Sequence, residues 1–295
     1  MISSSRARVQ VLAAALLFST GGAAIKSATF SGWQVAGLRS GVAALAILAL
    51  SPAARRGWWK RRTVVVAILY AATLILFVLA NKLTTAANTI FLQATAPVYV
   101  LIAGTLFLRE PFTRRDAVLT AAIALGMAMF FVGRERSFAT APDPLRGNIL
   151  AAISGVTYAL MLVGLRWMGR SGGAPQAAVA MGNAIAFLVA LPLAAPFGGH
   201  GLLDWSVILY LGVFQIGLAY SLLAGALKVL PAFEASLLLY LEPALNPVWA
   251  WLVQGESPGA WALLGGSIIL VATGIKARGQ SLAASGERGT VDIDS

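Results

Sequence analysis

The chain has no cysteine and a single histidine, His200, and charge is scarce: 22 basic and 11 acidic residues make up 11% of 295 positions. Without cysteine there is no disulfide framework, no thiol nucleophile and no cysteine metal site. One histidine excludes multi-histidine metal clusters and leaves few routes to a serine–histidine mechanism. The GxxxxGK[ST] phosphate loop is also missing, so ATP is not hydrolysed by that route. No pair of mid-span acids, HExxH helix or serine with a base lies within reach by sequence, which makes an intramembrane enzyme a remote alternative. No cofactor is expected. Soluble domains are about 25% charged and about 45–50% apolar; this chain is 59% apolar with a mean hydropathy of +0.81. Too few charged groups remain to coat a globule of this length, so lipid is the implied solvent.

A transmembrane helix needs about 20 mostly apolar residues. Ten stretches qualify: Val9–Lys26, Trp33–Leu50, Thr63–Lys82, Ala86–Leu108, Ala117–Gly133, Gly147–Trp167, Pro175–Phe197, Trp205–Lys228, Phe233–Val253 and Gly259–Lys276. They leave no room for a soluble catalytic domain. With both termini cytoplasmic, the inside segments hold 16 of the 22 Lys and Arg residues and the remainder hold six. That bias obeys the positive-inside rule. The net charge of +11 therefore reads as an orientation signal and calls for no nucleic-acid partner. Trp58 and Trp59, beside Lys60–Arg62, read as an interfacial belt touching lipid headgroups.

Shifting the sequence by 146 aligns Trp59 with Trp205, Lys82 with Lys228, Pro97 with Pro243 and Glu110 with Glu256. Near the start of each half the shift is about 140, pairing Phe18 and Lys26 with Tyr158 and Arg166. The chain thus reads as two copies of five spans, and an odd number forces the second copy to enter the membrane inverted. The expected organisation is a first five-helix repeat over 1–135, a linker over 136–145, an inverted repeat over 146–277 and a disordered cytoplasmic tail over 278–295. Inverted repeats are the architecture of secondary transporters, with substrate near the midplane and access alternating as the halves rock.

Two five-span copies, proline-centred fourth and ninth spans ending in Arg109-Glu110 and Gly255-Glu256, and the stretch Leu241-Glu242-Pro243 resemble the EamA-type drug/metabolite transporter superfamily. The likeness covers roughly 9–276, and is nearest to ten-helix bacterial amino-acid and metabolite exporters such as the YddG-type aromatic amino-acid exporters. It implies an all-α, inner-membrane exporter of small metabolites, most consistent with amino acids of broad specificity, acting as a monomer among membrane lipids. An uncoupled channel or facilitator for small solutes is the alternative.

Polar groups at mid-membrane depth are costly and so are functional candidates. Glu242 is the only acid near the centre of any span, and Asn246 and Trp249 follow it on one helical face. Glu242 either meets a substrate ammonium group, carries a proton, or is a structural carboxylate satisfied by neighbouring hydroxyls. Pro97, Pro243 and Pro247 each free a carbonyl four residues earlier, marking helix breaks beside the pathway or simple kinks. Tyr70 and Thr73 lie on a polar-aromatic stripe of the third span, and Gln215 lies on the eighth. Gln93 and Thr95, Ser154 and Tyr158, and Tyr240 complete the substrate-binding candidates, each with helix packing as the competing role. Arg39, Lys26 and Lys82 read as snorkelling to the outer headgroups, and His200 as a solvated loop residue.

Overall fold

The computed structural model describes residues 4–96, 98–100, 102–103, 114–132, 140–230, 234–235, 238–272 and 275, without the side chains of 115–117, 119–120 and 130–132. Pro97, Arg109-Glu110, linker residues 136–139 and the tail 278–295 lie outside the described residues.

The described elements are helical. They are α1 (Ser4–Ser19), α2 (Gly21–Ser27), α3 (Gly32–Leu50), a 3₁₀ turn (Pro52–Arg55), α4 (Arg61–Leu83), α5 (Ala86–Gln93), α6 (Arg114–Val132), α7 (Pro144–Arg170), α8 (Pro175–Ala194), α9 (Leu202–Tyr210), a π-helical segment (Leu211–Leu218), α10 (Ala219–Ala226), α11 (Leu241–Gln254) and α12 (Ala260–Ala272). Six continuous stretches are long and apolar enough to cross a membrane: Ser4–Ser27, Gly32–Leu50, Arg61–Leu83, Pro144–Arg170, Pro175–Ala194 and Leu202–Ala226. Large apolar side chains such as Leu45, Leu188 and Leu209 stand exposed along them, as a lipid-facing surface requires.

The helix starts are written in the sequence. Ser31 and Gln34 form a reciprocal capping box at α3, with bonds of 3.3 and 2.8 Å. Thr85 caps α5 through Asn88 N (3.1 Å), and Asp143 caps α7 ahead of Pro144. Gly255, at φ +68°, ends α11 in the left-handed conformation that favours glycine.

Packing joins the two halves far more than it joins neighbours in sequence. α3 packs on α8, α4 on α7 and α8, α3 on the π-helical segment, α1 on α10 and α11, and α5 on α7. A Cβ at Gly37 would lie 3.0 Å from Ala190 Cβ and one at Gly41 2.9 Å from Phe187 Cδ2, so the Gly37–Gly41 spacing is what lets α3 and α8 approach.

Contacts at the helix ends fall into two groups. In one, Thr29 N and Oγ1 donate to the Asp204 carboxylate (2.8 and 2.9 Å), His200 sits on Phe30 and bonds Thr29, and Lys26 meets Glu256 and the Thr140 carbonyl. In the other, Arg62 covers the Trp167 ring at 4.4 Å, Arg166 donates to Leu227 O (3.0 Å) and Arg8 pairs with Glu234 (2.7 Å).

Candidate functional site

Four interruptions of regular helix surround the centre of the bundle. α1 gives way to α2 at Thr20. The Leu211–Leu218 segment carries the wide π-helical turn, a geometry frequent at functional sites. α5 stops at a turn over Ala94 and Thr95, where Val98 N turns to Thr95 O (3.0 Å). Leu239 and Tyr240 form the matching turn before α11, where Glu242 N bonds Leu239 O (2.9 Å). The two turns touch, because the Tyr240 hydroxyl donates to the Ala94 carbonyl, 146 residues away. Pro243 falls in the first turn of α11, where its missing N–H costs nothing, and Pro247 lies inside that helix.

Between these breaks lies a cavity of about 20 Å³ bounded by Phe18, Arg39, Thr73, Leu74, Phe77, Gln93, Tyr158, Gln215, Ile216, Tyr220 and Glu242. A second, of about 30 Å³, adjoins it along Ile90, Ala94, Ala96, Leu239, Tyr240 and Pro243, sharing Gln93, Tyr158 and Glu242. Each holds roughly one water, whereas ligand sites run to about 300–1,000 Å³, so this conformation is closed around its centre. A larger open concavity of about 570 Å³ lies at a bundle end among Leu48, Arg55, Gly57, Trp58, Trp59 and Lys60. Trp59 there is 91% exposed and no buried polar side chain faces it, which suits an interface with headgroups better than a pathway.

Of the residues expected to bind substrate, Thr73, Gln93, Tyr158, Gln215 and Glu242 line the first cavity and Tyr240 the second, with Pro243 beside it. Ser154 stands behind them, accepting from Gln93 Nε2 at 2.7 Å. Thr73 bonds Leu69 O (2.8 Å) and the Thr157 hydroxyl (3.0 Å). Tyr70 is buried one layer away, edge-on to Tyr220 at 4.7 Å, with its hydroxyl accepting from Asn183 Nδ2 (3.1 Å). Thr95 turns back on Leu92 O (2.7 Å), and Trp249 Nε1 donates to Ser19 Oγ (3.0 Å). Asn246 is fully buried against Gly22 with neither amide atom bonded, and lines neither cavity.

Compared with known proteins, the profile of the EamA-like transporter family matches this chain twice, over residues 6–132 and 145–275. The chain belongs to the EamA-like transporter family. Among relatives of this EamA-like chain, the threonine/homoserine exporter RhtA of Escherichia coli K12 is 34% identical over 44% of this chain and 45% of its own length. The uncharacterized transporter YdfC of Bacillus subtilis is 28% identical over 66% of this chain and 63% of its own. Less than two thirds of either relative is therefore spanned. One solved crystal structure superposes over 93% of this chain and 97% of that one, with a TM-score of 0.66 at 18% identity, which is a likeness of fold.

Three basic residues of this EamA-like chain sit differently from the snorkelling reading. Arg39 has no exposed surface and turns into the cavity, donating to Gln215 Oε1 (3.3 Å) and Leu74 O (3.2 Å). α8, α4 and the π-helical segment all pack on α3 and enclose this side chain, so it has no path to the headgroups. Lys26 is buried in an ion pair with Glu256 at 2.7 Å and also donates to Thr84 O (2.9 Å). Lys82 donates to Ala28 O (2.8 Å). Asn183 is a buried polar residue that the stripe reading passed over, because only Gln176, at the helix start, accompanies it in an otherwise apolar helix. The signal for Arg39 was present in its flanking glycines, which mark α3 as a packed helix.

Proposed function

We propose that this EamA-like protein is a secondary exporter of small amino acids and related metabolites, working by alternating access in a bacterial inner membrane. Ten spans would form two inverted five-helix repeats, 1–135 and 146–277, joined by 136–145, with both termini cytoplasmic. The observation that carries the reading is the pair of broken helices meeting at Ala94 and Tyr240 beside a closed polar cavity. The twofold family match supports the repeat. So does the packing, in which each major contact has a swapped partner: α4 on α7 mirrors α1 on α10, α4 on α8 mirrors α3 on the π-helical segment, and α5 on α7 mirrors α1 on α11. Such mirrored interfaces are what rocking between two access states needs. Amino acids as cargo rest on RhtA, named for export of threonine and homoserine, and on a lining of hydroxyls, amides and one carboxylate.

Counterflow in proteoliposomes tests it, with a panel of neutral, charged and aromatic amino acids. Unlabelled substrate inside should accelerate uptake of labelled substrate several-fold over empty vesicles. Equal flux with and without trans substrate would indicate an open pore, and no amino-acid flux at all would remove the assignment of cargo.

A further inference from the structure

The central cavity contains two buried ionisable side chains, Arg39 and Glu242, that the protein leaves without ionic partners. Elsewhere it does pair them: the Lys26 and Glu256 side chains are 2% and 4% exposed and lie 2.7 Å apart. Arg39 is fully buried, yet two of its five N–H groups are used, both on neutral oxygens, and Nε has no partner. Among the described residues, no ion pair reaches either Arg39 or Glu242, and no hydrogen bond ends on the Glu242 carboxylate. The buried Tyr158 hydroxyl, which lines the same cavity, is likewise unbonded. A guanidinium buried without a counter-ion is costly, and a carboxyl group buried without a partner ionises only when something supplies one.

We infer that Arg39 anchors the α-carboxylate and Glu242 receives the α-ammonium group of an amino-acid zwitterion, whose side chain then lies against Phe18 and Phe77. This rests on the amino-acid reading above and adds the chemistry by which one cargo class is chosen. The guanidinium fork matches a carboxylate bidentately. A zwitterion gives the guanidinium its anion and the carboxyl group the cation that lets it ionise, and adds no net charge of its own. An amine or an acid satisfies one and leaves the other stranded, which is how a site built for two polar groups rejects analogues with one. Arg39 comes from α3 and Glu242 from α11, so a ligand admitted when the halves part beyond the one-water cavity bridges them.

The test is competition against labelled L-threonine counterflow by threoninamide, which lacks the carboxylate, and by N-acetylthreonine, which lacks the ammonium group. In the unmodified protein both should compete at least about tenfold more weakly than threonine. Arg39→Gln should weaken threonine about tenfold and abolish discrimination against the amide, while keeping discrimination against the N-acetyl compound; Glu242→Gln should do the converse. Arg39→Lys and Glu242→Asp, checked for monodispersity, give graded versions of the same two patterns where the neutral variants fail to fold. Discrimination unchanged in the Arg39 variants, or lost equally for both analogues in every variant, would overturn the inference while leaving amino-acid export standing. If the unmodified protein moves no amino acid, both fall together.

Discussion

Two glycines separate what the protein needs to fold from what it needs to work. A Cβ at Gly182 would lie 2.6 Å from Tyr70 Cδ1 and 2.8 Å from the Ala67 carbonyl, which is backbone and cannot yield. Gly182→Ala should therefore push α4 and α8 apart and cost about 1–3 kcal/mol, read as a lower melting temperature in detergent. A Cβ at Gly21 would lie 2.6 Å from Gln215 Nε2, the free end of a flexible side chain. Gly21→Ala is expected to displace that amide, remove one of the two bonds of Arg39, and leave the melting temperature nearly unchanged while transport falls several-fold. A large loss of stability for Gly21→Ala with full transport would contradict this placement of Gln215.

At the scale of elements, the Lys26–Glu256 pair ties together several separate pieces. Lys26 ends α2 and reaches the Thr84 and Thr140 carbonyls, while Glu256 Oε2 accepts from Ala86 N at the start of α5 (3.0 Å). Both side chains are buried, so removing one partner strands the other: Lys26→Met and Glu256→Gln should each cost about 3–5 kcal/mol, and the double variant should recover much of that loss. A double-mutant cycle on thermal melting measures it, and additive losses would show the pair to be uncoupled. Span positions were legible in the sequence because they follow from runs of apolar residues: α3 starts and ends within a residue of the expected Trp33–Leu50, and α4 overruns Thr63–Lys82 by one to two residues. The π-helical segment was not, since it contains no proline and continues an apolar run, and the Ser19-Thr20-Gly21-Gly22 stretch at the other break was absorbed into a single span. The turns near residues 94 and 240 were signalled by Pro97 and Pro243, but their missing N–H groups point to the Gln93 and Leu239 carbonyls and not to that of Ala94. That Ala94 is met by Tyr240 is a tertiary fact. Arg39 was misjudged for a similar reason, as nearness to a helix end says how far a side chain can reach and not which neighbours enclose it.

For the whole molecule, the decisive question is whether the halves are inverted, and the absence of cysteine makes it directly measurable. Trp59 follows the second span and its equivalent Trp205 follows the seventh. If each half contributes an even number of spans, equivalent loops lie on the same face of the membrane; five spans per half put them on opposite faces. The contacts at the helix ends fit the second arrangement. Thr29, Asp204, Lys26, Thr140 and Glu256 meet in one group, all from segments that five-span counting sends outside, while Arg62, Trp167, Arg166, Leu227, Arg8 and Glu234 meet among segments it keeps inside. Among the described residues, none of these contacts mixes the two groups. Trp59 is 91% exposed and Leu202, just before Trp205, is 88% exposed, so a cysteine at either should react freely without disturbing the packing. In intact cells an impermeant maleimide should label Leu202→Cys and reach Trp59→Cys only after permeabilisation. Labelling of both from one side would mean parallel repeats, and the reverse pattern would place the basic loops outside, against the charge bias that orients multi-span proteins.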